Sequence, residues 1–506
     1  MRGNETAEML ERTYWILNGA GRRAGRRWSW AVLSVALALL TVAAGVWPGA
    51  FAAAAGEPMM RVEITHTDAK GQRMPVTQIE FALRNEYMVN GNLVLNARGA
   101  ANELLGYRVV LNPDGTLRLE KRDDTGGGNN QVLLDGAAVL RLVPQDTGKT
   151  DNLVDIKRWI NGERTNANPY RHVMEFRRGT VTVGGGEGQS PATKQTLLAI
   201  NELPIEEYLK GVLPSEMPAS WPLEALKAQA VAARSYAVNH IRGLPSDGWI
   251  DDTTTYQKYD GYRVEQERSN EAIRQTAGEV LTYQGRVITA WFSASNGGYT
   301  ELAENVWSAS APYLRSVEDP YDIREGNSHR SWQVRYSMEE LQQRFQNNRI
   351  QIGQLTALVP TKTSPSGRVV EMRVEGTQGK VTLAKNEIRS ILGLKSLLFT
   401  VKSNDQVYVL SRTGQTSTSV YGMKVVGAGG AAATLNQAAA SVMDGTQAVQ
   451  TIPTVPTGYT FEGRGYGHGV GMSQYGARFR AEDGHDYRKI LAFYYPGTEL
   501  AGNYNQ

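Results

Sequence analysis

The segment Pro214-Ser215-Glu216-Met217-Pro218 fixes one carboxylate between two prolines. A lone acid held so stiffly is a candidate proton donor, because neighbours that strip water from it disfavour the charged form and raise its pKa toward neutrality. The competing reading is structural: Glu216 caps or salt-bridges a flanking helix.

Two elements must position it. Ile205, Tyr208, Leu209, Val212 and Leu213 fall on one face of a 3.6-residue period, which predicts a helix. That helix is expected to stop before Pro214, since proline disfavours α geometry in the preceding residue and lacks the next donor. A second helix is expected from Ser220 as N-cap, with Pro222 and Glu224 in its first turn and Gly243 after its end. Its small positions Leu226, Ala230, Ala233 and Ala237 read as a packed face, so Glu216 is expected in a short junction between two anchored helices.

A third chemical feature lies far downstream. Glycines 463, 465, 467, 469 and 471 alternate around His468, a spacing that permits tight backbone approach and left-handed conformations. His468 either polarises a substrate group or stabilises the carboxylate, or else makes a structural hydrogen bond to the backbone. No register of this block gives G-x-G-x-x-G and no G-K-[ST] follows, so it does not read as a nucleotide site.

Residues 204–212, Ser215-Glu216-Met217-Pro218 and residues 224–236, together with the glycine–histidine block 463–477, resemble the stage II sporulation protein D / LytB family. The resemblance spans roughly residues 175–500. Sporulation members of that family are lytic transglycosylases, which cut peptidoglycan between N-acetylmuramic acid and N-acetylglucosamine without water, and their catalytic glutamate falls on Glu216. Ordinary glycosidases flank the bond with two carboxyl groups. In the non-hydrolytic route the sugar's own C6 hydroxyl is the nucleophile, so one acid suffices.

The resemblance also implies a sugar-binding rim. Gln257 and Tyr259 match a Gln-x-Tyr-x-Gly loop, and Ser295 and Asn296 match a Ser/Gly-rich loop that continues to Tyr299. Arg234, in the second helix, either pairs with Glu216 and lowers its pKa or holds substrate. Where some relatives bind zinc through Cys and His, this chain has Thr255 and Tyr256. With no cysteine and six scattered histidines, no metal and no cofactor are expected. Sporulation members act beside an amidase, which implies strands stripped of stem peptides as substrate and an amidase as partner. LytB-like members are amidase enhancers, so a non-catalytic glycan-binding or amidase-binding role is the rival reading.

Composition fits an extracytoplasmic enzyme. The 506 residues suggest about three domains, and zero cysteines leave stability to packing. Arg22, Arg23, Arg26 and Arg27 precede an uncharged stretch from Trp28 to Trp47, long enough to cross a bilayer. This predicts a cytoplasmic basic tail over 1–27 and a membrane anchor or signal segment over 28–52, with a cleavage site near Ala50-Phe51-Ala52. Retention as a single-pass anchor and secretion after cleavage both stay open. The formal charge of +3 comes wholly from residues 1–52, with six basic and three acidic side chains, so no nucleic-acid-binding excess remains.

The expected fold is α+β. Short strand-like runs predict a β-rich accessory region over 57–174 and a mixed catalytic domain over 175–500. The Ala-, Gly-, Thr- and Pro-rich stretch 427–458 reads as a mobile low-complexity excursion. A helix at 338–346, strands at 369–374 and 380–383, and a last helix 487–495 capped by Asp486 complete the reading.

Overall fold

The computed structural model describes residues 57–123, 130–183, 192–307, 310–411 and 456–504, with short strands inside 414–453. The expected tail and membrane or signal segment over 1–52 lie outside the described residues. Among the described helices none is long and apolar enough to cross a membrane.

The N-terminal part is built from alternating strands such as Val139–Pro144, where Leu140 and Leu142 turn inward between half-exposed neighbours. They form a seven-stranded sheet in the spatial order Ile250–Asp251, Met59–Glu63, Ala192–Pro204, Val173–Val183, Val139–Pro144, Tyr87–Val89, Leu93–Leu95. A six-stranded sheet shares its core, with Phe81 stacked on Tyr107 and tilted against Phe176 at 5.4 Å in both cases. This corrects the expected boundary at residue 174. Val173–Val183 pairs with Val139–Pro144 on one side and Ala192–Pro204 on the other, so the ladder runs across that boundary. Strands split there would leave two bare edges.

Ala192–Pro204 feeds directly into helix α1 (Ile205–Glu216). Tyr208, Leu209, Val212 and Leu213 of α1 are fully buried in the same core as the sheet residues Met60 and Leu203. Helix α2 (Leu223–Arg242) lies between two cores. Leu226, Ala230, Ala233 and Ala237 face α1 and the sheets, as their spacing predicts, while Ala228, Val231 and Ala232 join Ala477, Ile490, Leu491 and Tyr494. Alanines on both faces let neighbouring elements approach closely. The expected Ser220 cap is not used; Pro222 occupies the cap position and its carbonyl takes the Ala225 and Leu226 amides. Helix α3 (Glu267–Gln275) covers α1 and α2.

A third core belongs to the central segment. Helices α4 (Met338–Asn347) and α5 (Asn386–Leu392) pack Leu341, Phe345 and Ile388 against Met372, Val374 and Phe461 from two three-stranded sheets. The strands Val369–Gly376 and Gly379–Ala384 and helix α4 fall where the pattern predicts, and a Ser337/Glu340 capping box, which was not predicted, starts α4. Part of the excursion expected over 427–458 lies outside the described residues. Among the described ones, Lys424–Val426 pairs antiparallel with Ala432–Thr434, and Ala439–Met443 with Val449–Pro453.

Helices α6 (Gln474–Glu482) and α7 (Tyr487–Tyr494) close the fold. Asp486 caps α7 by accepting from the Lys489 amide at 2.8 Å.

Candidate active site

The local structure around Glu216 differs from the expected junction. Helix α1 continues through Pro214, and Glu216 is its last residue. Pro214 cannot donate to Lys210, but only two helical residues follow, so the helix closes normally with the Met217 amide on the Leu213 carbonyl at 2.9 Å. The Gly211 carbonyl takes the Ser215 hydroxyl at 2.9 Å and the Asp260 amide at 3.2 Å. The proline turn thus carries a docking point for the 257–261 loop.

That loop reaches α1 because residue 211 is glycine. A Cβ there would meet the Tyr259 ring at 2.5 Å. Tyr259 is buried on Gly211 and donates its hydroxyl to Asn201 Oδ1 at 2.7 Å. Gln257 is buried too, donating to the Ala233 carbonyl at 3.2 Å and accepting from the Tyr208 hydroxyl at 3.3 Å. With both flanking side chains turned inward, the Lys258 amide points out and donates to Glu216 Oε1 at 2.9 Å. The two residues expected on a sugar-binding rim are therefore anchors that aim an amide at the carboxylate.

Ser295 and Asn296 are corrected in the same way. Ser295 donates to Asp322 Oδ2 at 2.6 Å and Asn296 to Asp319 Oδ2 at 2.9 Å, and both are buried. Asp322 also takes the Gly297 amide at 2.6 Å and the Ser473 hydroxyl. Ser473 caps α6, accepting from the Gly476 amide at 3.0 Å. The next residue, Gln474, hydrogen-bonds Glu216 through its side chain. The Ser/Gly loop thus steadies the glycine–histidine block, and the block supplies the second hydrogen bond to Glu216.

Arg234 neither pairs with Glu216 nor reaches the cleft. It is fully buried and forms a two-pronged ion pair with Glu206, at 2.9 and 2.7 Å, while donating to the Glu279 carbonyl at 3.2 Å. Burial alone would raise the Glu206 carboxyl, but the Arg234 charge and hydrogen bonds override it and hold Glu206 below its ordinary value.

Glu216 lines a cleft of about 810 Å³, within the size range of small-ligand sites. Burial raises its pKa, against the Lys258 amide and Gln474 side chain, which favour the charged form. Glu216 is the one carboxylate among the described residues that line the cleft. Tyr236, Tyr256, Trp291 and Trp307 supply aromatic surface, Trp291 and Trp307 stacking at 5.1 Å. Such faces suit the C–H surfaces of sugars, and Ser293 and Gln474 add hydrogen-bonding groups.

His468 lines the cleft, with its ring 4.9 Å from Trp307. Its Nδ1 accepts from the Val470 amide at 3.0 Å and the ring also bonds to the Phe292 backbone. Burial, aided by Arg389, pushes its pKa down to about 3, so the ring is neutral at physiological pH. At Gly467, φ 108°, an added Cβ would lie 2.7 Å from the Ser293 Cβ, so a side chain there would force the two loops apart.

Sequence reasoning did not find Gln474, the aromatic residues of the cleft, or Arg389 and Lys395. Gln474 stands inside the recognised block and Trp291 just before the Ser/Gly loop. Arg389 and Lys395 had no local signal. Thr255 and Tyr256 line the cleft, and no metal-binding group of three His, Asp or Glu side chains occurs among the described residues.

A family model described as "Stage II sporulation protein" matches residues 193–283, which hold α1, α2 and the 257–261 loop. A second, for a domain of unknown function, matches residues 318–430. The chain is 36% identical over 305 residues to the amidase enhancer of Bacillus subtilis (strain 168), covering 58% of this chain and 40% of that protein. It is 30% identical over 329 residues to stage II sporulation protein D of Bacillus amyloliquefaciens, covering 62% and 78%. Against stage II sporulation protein D of Bacillus subtilis (strain 168) it is 29% identical over 343 residues, covering 64% and 82%. The chain thus spans less than half of the amidase enhancer and about four fifths of the two sporulation proteins.

Proposed function

We propose that this chain, which belongs to the stage II sporulation protein D family, is a peptidoglycan lytic transglycosylase that uses Glu216 as acid and then as base. The observation that carries this reading is a single carboxylate in an aromatic cleft, with burial favouring its protonated form. A retaining hydrolase needs a second carboxyl about 5–5.5 Å away, and none lines the cleft among the described residues.

In the proposed reaction protonated Glu216 gives its proton to the oxygen bridging N-acetylmuramic acid and N-acetylglucosamine, and the C1–O bond breaks. The Glu216 carboxylate then takes the proton of the muramic C6 hydroxyl, whose oxygen attacks C1 and closes a 1,6-anhydro ring. The Lys258 amide and Gln474 stabilise the carboxylate between the two transfers. Because the substrate lies in the cell wall, the arginine-flanked segment 28–52 is proposed to place the bulk of the chain outside the cytoplasm, by anchoring or export.

Digestion of amidase-treated peptidoglycan followed by mass spectrometry tests the reading. Wild type is expected to release 1,6-anhydromuramic ends and Glu216→Gln is not. Wild type releasing none overturns the enzyme reading, and equal yield from the variant overturns the residue assignment. The 36% identity to a protein named amidase enhancer favours one rival. Equal stimulation of a cell-wall amidase by wild type and Glu216→Gln, with no anhydro ends from either, would establish it.

A further inference from the structure

The Glu216 cleft is lined by two cations, Arg389 and Lys395, that have no counter-ion among the described residues. Arg389 is in α5 and Lys395 follows it, both inside the segment 318–430 that the model of a domain of unknown function matches. Most of the molecule's buried cations are neutralised: Arg234 pairs with Glu206 and Arg480 with Asp319. In the cleft, Lys258 pairs with Asp260 at 2.8 Å. Neither Arg389 nor Lys395 has a carboxylate within ion-pair distance among the described residues.

Their placement is built. α5 ends on Gly393 in the left-handed conformation at φ 64°, and the Leu394 amide returns to the Arg389 carbonyl at 3.0 Å. The Gly467 amide then donates to the Lys395 carbonyl at 2.9 Å, stitching this turn to the glycine–histidine block beside His468. Arg389 is half-buried and Lys395 exposed. Burial holds the Arg389 guanidinium below its ordinary value, and the Tyr466 hydroxyl offsets that loss of water only in part. A partly desolvated cation is costly to keep unless something pairs with it. A guanidinium and an ammonium lining one cleft suit a planar, doubly accepting anion, the carboxylate.

We propose that Arg389 and Lys395 form a carboxylate subsite, through which the 318–430 segment selects glycan strands by an acidic group they carry. The proposal rests on the cleft being a glycan site. Two groups on peptidoglycan share this chemistry: the lactyl carboxylate of N-acetylmuramic acid where the stem peptide is gone, and the acids of the stem peptide where it remains.

Calorimetric binding to the full Glu216→Gln chain tests this without turnover. The probes are glycan fragments with free lactyl carboxylates, the same fragments as methyl esters, and fragments that keep their stem peptides. One acid-bearing probe is expected to bind about tenfold or more tightly than the ester, and which one it is assigns the source. Adding Arg389→Gln and Lys395→Gln is expected to level the difference. The exposed Lys395→Gln change alone should remove part of it, which keeps the test alive if the Arg389 variant fails to fold. Equal binding of acids and ester, or a preference that survives in the double variant, overturns the subsite alone. No binding of any probe overturns the glycan reading with it.

Discussion

Glu206 lies in the first turn of α1 and Glu216 ends it, and both carboxylates are largely withdrawn from water, yet their surroundings act in opposite directions. At the first turn Arg234 grips Glu206 with two hydrogen bonds, and the Gly278 amide adds a third at 3.1 Å. At the last turn Glu216 has the Lys258 amide and the neutral Gln474 side chain, with no cation in ion-pair contact among the described residues. The first end is made rigid by a charge pair. The second keeps a proton available because that pair is missing. One helix therefore holds a structural acid and a candidate chemical acid, separated by which end receives the arginine.

The largest effect expected from breaking this contrast is on chemistry. Glu216→Gln is predicted to lower the release of anhydromuramic ends by about 10²–10⁴-fold, with an unchanged circular dichroism spectrum. Glutamine keeps the size and can accept from the Lys258 amide, so the loss isolates the proton. Activity retained within a factor of a few would place the acid elsewhere.

At the other end the effect is on stability. Arg234→Met leaves Glu206 without its cation, and breaking such a buried pair costs about 3–5 kcal/mol. Denaturant unfolding should show that loss, and adding Glu206→Leu should recover much of it, because two apolar residues leave no unpaired charge. A double variant as unstable as the single one would mean that Arg234 acts through its backbone-carbonyl contacts instead.

The two ends also predict opposite pH dependences. Glu206 has a lowered folded pKa, so its contribution to stability is full above the ordinary carboxyl value and is lost as pH falls through the folded one. Glu216 has a raised folded pKa, so folding is favoured while it is protonated, and that contribution is lost as pH rises from the ordinary value through the folded one. Unfolding midpoints across pH should therefore show Glu216→Gln flattening the decline on the neutral side and Glu206→Gln flattening the decline on the acid side. Turnover should follow Glu216 alone, falling as pH rises through its raised pKa. A rate profile with the limb of an ordinary carboxyl would break the comparison.

How much of this was legible depends on range. The strands expected at 369–374 and 380–383, the helix starting at Met338 and the Asp486 cap rest on local alternation and capping, and they stand where the pattern puts them. The proline in α1 misled because its penalty depends on how many donors follow, which was two residues. Gln257, Tyr259, Ser295 and Asn296 were found as a group near the site, but a motif does not say which side chains face inward. Their burial follows from Gly211, Asn201, Asp319 and Asp322, each distant in the chain. Arg234 chose Glu206 over Glu216 for the same kind of reason: helical periodicity fixes a face and leaves the partner across it undetermined. Arg389 of α5 and Lys395 just after it lie in a separately matched segment, and only the assembled fold brings them to the cleft.

The smallest predicted effect tests whether Glu216 is held by a backbone group. Lys258 extends an exposed side chain that pairs with Asp260, while its amide alone bonds Glu216. Lys258→Ala keeps that amide, removes a cation that favours the charged form of Glu216, and leaves the Asp260 charge, which disfavours it, uncompensated. Both changes push the Glu216 pKa further up, so the alkaline limb of the rate profile should move to higher pH with little loss at its maximum. The exposed pair itself contributes no more than about 1 kcal/mol, so the unfolding midpoint should barely move. A fall in maximal rate comparable to that of Glu216→Gln would mean that the lysine side chain, and not its amide, meets the reacting glycan.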